Sequence, residues 1–594
     1  MGAEKSKPHP SLLWPGGEQQ GSGRQFSNEV VRDLALETLV AHMCPYRPHR
    51  DLVRRVLYRL CQDSAVLAYR QAILNDLLHQ PVLAEALKSL LPLLDELVLF
   101  THPHSAGETS LHRVIQRAGE LQLLVDCVHR LSEAFETVDE HTRSPGLRTL
   151  QSYIDQFIVD KDFQQVVEAL PEMLSDLRAC RSITVGVNLD EHLRPEEAVL
   201  LSANPERFTE SSLLDRLLGR SAADGKGIAP LHSLPMLTET SNMITGGLPI
   251  SGPTRRAKPF MVPLFRDLSE TLEKSTRPVA RELERYVLLN SRFLKDLRPE
   301  IIFYVQALEI ARKVESLGLP LCLPEIAPSA DRVCEIEDSF NLQLALHLSN
   351  QQPGKKLAGQ VVTNDVILGS RGRIVILTGP NQGGKTTYMQ AVGQAQVMAQ
   401  AGLFVPGRRA RISPVDGIQT HWPVEERLEL GTGRFGDEAR RLRAIFEQIT
   451  RHSLVLLNES LSTTNMGESL YLAQDIVRVL RQIGVRAIFT THIHELAAAV
   501  QDLNLNTAGD SKVVSMVASY EVGQEEQADG TAGDNRHSYR VVLSPPLGRS
   551  YAHRIASHHG IGLEQLVDLL HERGVLGEET ERPQELPIHP ELED

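Results

Sequence analysis

The stretch Gly379-Pro-Asn-Gln-Gly-Gly-Lys-Thr-Thr387 constrains this chain more than any other. It matches G-x-x-x-x-G-K-[ST] in full, between a strand-like run, Arg373–Thr378, and a helical pattern, Tyr388–Ala401. The residue types follow from the chemistry of phosphate binding. Glycines let successive backbone N–H groups turn inward around phosphates, the start of the following helix adds partial positive charge, and Lys385 supplies a point charge. Thr386 is placed to offer its hydroxyl to Mg²⁺. Gly379, Pro380, Asn381, Gln382, Gly383, Gly384, Lys385, Thr386 and Thr387 are therefore the candidate nucleotide cradle. At average composition such a match arises by chance on the order of once in a hundred chains of this length, even before its flanking strand and helix are required. A fortuitous glycine-rich turn is a poor account of it.

The 594 residues exceed what one hydrophobic core organises and predict three or four domains. A net charge of −14 argues against a protein that coats nucleic acid non-specifically, while leaving room for a local basic groove. The six cysteines are scattered, without C-x-x-C spacing, which predicts free thiols in a reducing compartment and no zinc site. No apolar run reaches the roughly 18 residues of a membrane span, and no secretory h-region opens the chain, so a cytoplasmic location is expected.

Residues 1–27 mix Pro, Gly, Ser and Gln without a period and read as a disordered tail. From Asn28 to about residue 320, apolar residues recur at helical spacing, including Val66–Leu78, Val82–Phe100, Ser110–Thr137, Leu147–Val159 and Ile301–Val314. A candidate strand, Ser182–Asn188, interrupts them. The Gly/Pro/Ser/Thr-rich stretch 218–258 reads as a flexible insertion. It ends in Arg255, Arg256 and Lys258, which form either a solvated charge cluster or a phosphate contact. Pro320, Pro324 and Pro328 mark a domain boundary.

Beyond that boundary, over 321–575, strands alternate with helices, the pattern of a doubly wound, largely parallel sheet. Arg332–Leu344 and Gly359–Leu368 read as strands. The buried run Leu454–Leu457 ends in Asn458-Glu459, and Val485–Thr490 ends in Thr491-His492-Ile-His494. Ligands of such sheets lie outside the carboxyl ends of the strands, which puts Glu459 beside Mg²⁺ and a γ-phosphate. His492 and His494 share a strand face, as backbone-satisfied histidines or a metal pair would; no third ligand nearby supports a metal. Residues 576–594 read as an acidic disordered tail.

Several motifs then carry a resemblance in the same order over residues 360–560. Thr378–Met389 (TGPNQGGKTTYM), Ala401–Pro406 (AGLFVP), Val362–Asp365 (VTND), Phe489–Leu496 (FTTHIHEL) and Gly548–Tyr551 (GRSY) are similar to motifs of the MutS family of DNA mismatch-repair ATPases. The helical stretches Ala68–Leu78 and Ile301–Tyr304 resemble that family's core and lever helices more weakly. The resemblance implies an α-helical core and lever region with a candidate clamp at about 182–281, followed by a C-terminal α/β P-loop ATPase domain of the ABC type. It implies ATP and Mg²⁺ as cofactors, and a homodimer with composite ATP sites. DNA, and a repair protein, are the implied partners. By the same carry-over Lys385, Thr386 and Asn381 hold phosphates and Mg²⁺, and Asn458 meets the metal through water. Glu459 polarises the attacking water, and His492 senses the γ-phosphate. An ATP-gated protein clamp, or one acting on RNA or a ribosomal particle, is the alternative.

Departures from the family pattern sharpen these expectations. The acidic residue usual before Glu459 is Asn458, which predicts weakened Mg²⁺ support and slow turnover. In the signature segment, Gly431–Glu438, the serine that meets a partner's phosphate is replaced by Gly433, followed by Arg434. Arg434 is then either an arginine finger or an ion-pair partner of Asp437 or Glu438. The segment Ser460–Gly467 is shorter than the family's. No mismatch-reading wedge is recognisable in the first hundred residues and no nuclease domain at the C-terminus, so a reduced branch is expected.

Overall fold

The computed structural model describes residues 9–16, 24–99, 110–137, 144–178, 182–192, 195–204, 283, 291–380, 382–423, 434–461, 465–520, 537–546, 563–573 and 575. Asn381, Gly433, the insertion 218–258, the motif Gly548–Tyr551 and the acidic tail 576–594 lie outside them. The chain divides into two compact units: Met1–Gln19 with Ala72–Val305, and Gln20–Gln71 with Gln306–Asp594.

The first unit is mainly helical, with Pro81–Leu99, Ser110–Glu136, Pro145–Ile158 and Lys161–Arg178 as its principal helices. Leu83, Leu87, Leu90, Leu94 and Leu97 recur at helical spacing and are buried, which explains the leucine density of the sequence there. Glu120 accepts from Arg117 at 2.7 Å and from Lys295 at 3.0 Å, tying the second of these helices to Arg292–Ser316. Strand Ser182–Leu189 pairs antiparallel with Pro195–Asn204, a second strand that the hydropathy pattern does not announce.

The expectation of a loose N-terminal tail does not hold for residues 9–16. Leu12 is fully buried, and the Glu300 carboxylate accepts from the Ser11 hydroxyl and from the Leu12 N–H, each at 2.6 Å. The Tyr304 hydroxyl donates to the Leu12 carbonyl at 2.8 Å. An isolated Leu-Leu pair has no period, so composition alone misses its burial.

The second unit is built on a six-stranded sheet, with β1 (Ile374–Thr378), β2 (Ile418–His421), β3 (Leu454–Asn458), β4 (Arg486–Thr490), β5 (Val513–Tyr520) and β6 (His537–Leu543). Their order is β2-β3-β4-β1-β5-β6, and every neighbouring pair is parallel except β5 with β6. Alternation along the strands feeds two faces. Ile374, Ile376, Val455, Leu457, Ala487 and Phe489 form one core with the helices Arg434–Phe446 and Met466–Ile483. On the other face Leu456 meets Gly393 of the helix Lys385–Ala401.

A smaller sheet joins Glu325–Ile326, Arg409–Ile412, Cys334–Ser339 and Asn364–Leu368. The expected strand Arg332–Leu344 is therefore shorter. It stops at Ser339, and Asn341 caps the helix Leu342–Gln351 by accepting the Leu344 N–H at 2.9 Å. The expected strand Gly359–Leu368 pairs in this sheet only from Asn364 onward.

Residues 24–71 pack in this second unit, although their pattern continues into the helical region that follows. The reason lies in the helix Lys385–Ala401, which is buried around nearly its whole circumference. Its glutamines donate to backbone carbonyls of the N-terminal segment: Gln390 to Asp33, Gln394 to Leu34 and Gln400 to Cys61, each at 2.9 Å. Leu34 packs over Gly393, where a Cβ would lie 2.5 Å from its methyl.

Candidate functional site

Strand β1 delivers the chain into the phosphate loop. Gly379 has φ 137°, and a Cβ there would lie 2.8 Å from the Ala518 carbonyl oxygen, so the position requires glycine. Gly384, at φ 88°, precedes the helix that starts at Lys385. The loop is fixed from outside as well: the Asn341 amide donates to the Thr387 carbonyl at 3.1 Å, and the Tyr388 hydroxyl to that of Asp365 at 3.0 Å. A cleft of about 510 Å³ opens over the loop. Gln382, Gly383, Gly384, Lys385, Thr386 and Thr387 form one side of it, while Phe340, Leu344, Leu348 and Val361 give the rest an apolar character. That combination of backbone N–H donors and apolar wall suits a nucleotide.

Lys385 is 4% exposed, and its ammonium donates to the carbonyls of Gly379 at 2.8 Å and Pro380 at 3.0 Å. Burial pushes its pKa down to about 8, against the opposing pull of the Glu459 carboxylate 3.9 Å away. Asn458 lies behind Thr386. Its side-chain oxygen accepts from the Thr490 hydroxyl at 2.8 Å and the Thr386 hydroxyl at 3.3 Å.

Glu459 follows immediately, in a left-handed backbone conformation with φ 49°. Its N–H donates to the Thr490 carbonyl at 3.0 Å and approaches the Thr490 hydroxyl at 3.2 Å. The His492 ring lies 2.9 Å from its carboxylate. That hydrogen bond, helped by the charges of His492 and Lys385, holds the Glu459 carboxyl below its ordinary value despite burial. Lys385, Thr386, Asn458, Glu459 and His492, drawn from three separate strand ends, are thus brought together.

Other expected positions resolve differently. Arg434 opens the helix Arg434–Phe446, but its side chain lies outside the described residues, as do Asn381 and Gly433 altogether. His494 opens a separate short helix, His494–Ala498, and burial lowers its pKa. Among the described residues no group of three His, Cys, Asp or Glu side chains could hold a metal. Cys44, Cys61, Cys127, Cys322 and Cys334 are free thiols. No described helix is long and apolar enough to cross a membrane.

Three side chains at the site make contacts that a reading of the sequence does not reveal. Thr490, fully buried, supports both Asn458 and Glu459. His421, at the end of β2, has its Nδ1 2.6 Å from the Ser460 hydroxyl, and burial pushes its pKa down to about 3, with Arg441 adding to the effect. Glu438 accepts the Leu461 N–H at 2.6 Å. Thr490 at least lies inside a recognised motif and Glu438 ends the signature segment, whereas His421 carries no local signal.

Comparison with known proteins bears on this geometry. The family model for MutS domain V matches residues 375–533, and that for the MutS2 N-terminal domain matches residues 62–317. The DNA mismatch repair protein MutS of Prochlorococcus marinus is 26% identical over 512 residues, covering 84% of this chain and 52% of that protein. Endonuclease MutS2 of Thermus thermophilus is 33% identical over 435 residues, covering 73% of this chain and 50% of that protein. MutS of Synechococcus elongatus is 28% identical over 469 residues, 75% of this chain and 49% of its own length. The chain spans about half the length of these curated relatives. With the two family models matched in succession along it, the chain is similar to the MutS and MutS2 proteins through both its helical and its α/β region.

Proposed function

We propose that this protein binds and hydrolyses ATP, and that it does so as a MutS-like dimer whose nucleotide state controls a clamp on DNA in repair or recombination. The observation that carries the ATPase reading is that Lys385, Thr386 and Glu459 line one cleft beside the phosphate loop, with Asn458 bonded to Thr386 and His492 to Glu459. Lys385, now satisfied by the loop's own carbonyls, turns to the phosphates when nucleotide enters. Glu459, kept ionised by its partners, accepts the proton of the attacking water, and His492 donates to the charge that develops on the γ-phosphate.

Hard oxygen donors fit Mg²⁺, and here they are the Thr386 hydroxyl with the Asn458 amide oxygen behind it. Bound Mg²⁺ would neutralise phosphate charge. Since Asn458 is neutral, Glu459 provides the negative charge close to the phosphates, which supports slow turnover. The composite site, with Gly433 and Arg434 supplied by a second copy, the division into core, lever and clamp, and a repair-protein partner belong to the same reading.

Binding of ATP and of duplex, junction and single-stranded DNA across a salt series tests it. ATP hydrolysis, with DNA affinity that falls as salt rises, is the expected result, because phosphate contacts release counterions. The net charge of −14 favours one competitor, an ATP-gated clamp on protein. ATP hydrolysis without salt-dependent nucleic-acid binding in any nucleotide state would select it.

A further inference from the structure

The turn that carries Glu459 is held by two buried side chains, His421 and Glu438. Glu459 at φ 49° and Leu461 at φ 67° are both non-glycine residues in the left-handed region, so the turn persists only where its surroundings fix it. Before the signature segment, His421 meets the Ser460 hydroxyl at 2.6 Å. At its last residue, Glu438 accepts the Leu461 N–H at 2.6 Å, and from further along the chain the Ser469 hydroxyl donates to the Leu461 carbonyl at 2.7 Å. All of these groups are buried: His421 is 1% exposed and Glu438 is 7% exposed. A carboxyl group so little exposed needs hydrogen-bond partners, and the Leu461 N–H provides one.

We infer that His421 and Glu438 are positioning residues that hold the turn behind Glu459 in place. The inference rests on the proposed ATPase reading. His421 ends β2 and Glu438 lies in the first turns of the helix Arg434–Phe446, so two separate elements hold the turn behind the catalytic carboxylate. A displacement of either element moves Ser460 or Leu461, and with it the backbone of Glu459. Neither side chain is offered to the nucleotide. Each acts through the turn, so its loss is expected to lower kcat while sparing nucleotide affinity.

The test uses the full chain with Glu438→Ala, Glu438→Gln and Ser460→Ala, the last deleting one oxygen and therefore the mildest to folding. Affinity for a fluorescent ATP analogue, kcat, and amide hydrogen exchange across 454–461 are measured together. Glu438→Ala and Ser460→Ala are expected to bind nucleotide within about threefold of wild type, to lose about tenfold in kcat, and to exchange the turn amides faster. Glu438→Gln keeps an acceptor for the Leu461 N–H and is expected to restore turnover. Wild-type kcat in Glu438→Ala or, should that variant not fold, in Ser460→Ala would overturn the inference, as would failure of Glu438→Gln to rescue. Wild-type protein that binds ATP without hydrolysing it would overturn the ATPase reading instead. The positioning role is then decided by exchange, and unchanged exchange in the variants defeats it.

Discussion

Replacing Thr490 by valine isolates what its hydroxyl contributes, because the two side chains have nearly the same shape and the site is fully buried. No cavity opens, so the effect is confined to hydrogen bonding. The substitution removes the 2.8 Å bond to Asn458 and the 3.2 Å contact with the Glu459 N–H. Asn458 keeps only the longer contact with Thr386, at 3.3 Å, whereas the Glu459 N–H keeps the Thr490 carbonyl at 3.0 Å. A net hydrogen bond contributes roughly 0.5–1.5 kcal/mol, and a buried acceptor left short of donors costs about 1–3 kcal/mol, so about 1–3 kcal/mol of stability is expected to be lost. If half of that appears as misplacement of Glu459, kcat falls by about three- to tenfold. Denaturant midpoints and steady-state ATP hydrolysis read the two effects, with Thr490→Ser as the control that keeps the hydroxyl. Stability and turnover both at wild-type values in Thr490→Val would refute the reasoning.

Four further outcomes are expected. Asn458→Asp restores a negative charge beside Thr386 and is expected to lower the Mg²⁺ concentration that half-saturates hydrolysis; an unchanged Mg²⁺ dependence would show that Asn458 does not limit it. The Lys385 amine, pushed down to about 8 by burial, is largely neutral at about pH 9 in nucleotide-free protein, while phosphates beside it favour the ammonium. ATP binding at about pH 9 should therefore take up a proton, detectable by calorimetry in buffers of different ionisation enthalpy, and none near pH 6. Because the folded-state pKa is depressed, burial of Lys385 opposes folding fully below about 8 and progressively less as pH rises toward 10.5, so Lys385→Met stabilises nucleotide-free protein more at neutral pH than at high pH. Leu34→Ala, which empties the space over Gly393, is expected to cost about 2–5 kcal/mol, seen as a lower thermal midpoint.

The phosphate loop is legible in the sequence because its geometry demands particular residues: Gly379 has no room for a Cβ, and Lys385 must follow the turn directly. The strand ends at Asn458 and Thr490 are equally legible, since strands buried on both faces read as apolar runs that stop where the site begins. Helix Lys385–Ala401 is legible as a helix, but its glutamines give no hint that they grip residues 33, 34 and 61, because an amide that donates to a distant carbonyl has no sequence period. The same limit hides His421 and Glu438, whose partners are set by folding across 39 and 23 residues. Arg332–Leu344 reads as one strand because Ser339 and Asn341 are both polar breaks in an apolar pattern, and only the cap on Leu344 distinguishes strand end from helix start.

The central claim, that Glu459 is the base of an ATPase whose nucleotide is held by Lys385, is tested most directly by single-turnover hydrolysis in Glu459→Gln beside an ATP-binding measurement on the same protein. The amide keeps the size of the side chain and a hydrogen-bonding oxygen but cannot take a proton. ATP bound with near wild-type affinity and left intact is the predicted result. Hydrolysis by Glu459→Gln at the wild-type rate would contradict the account.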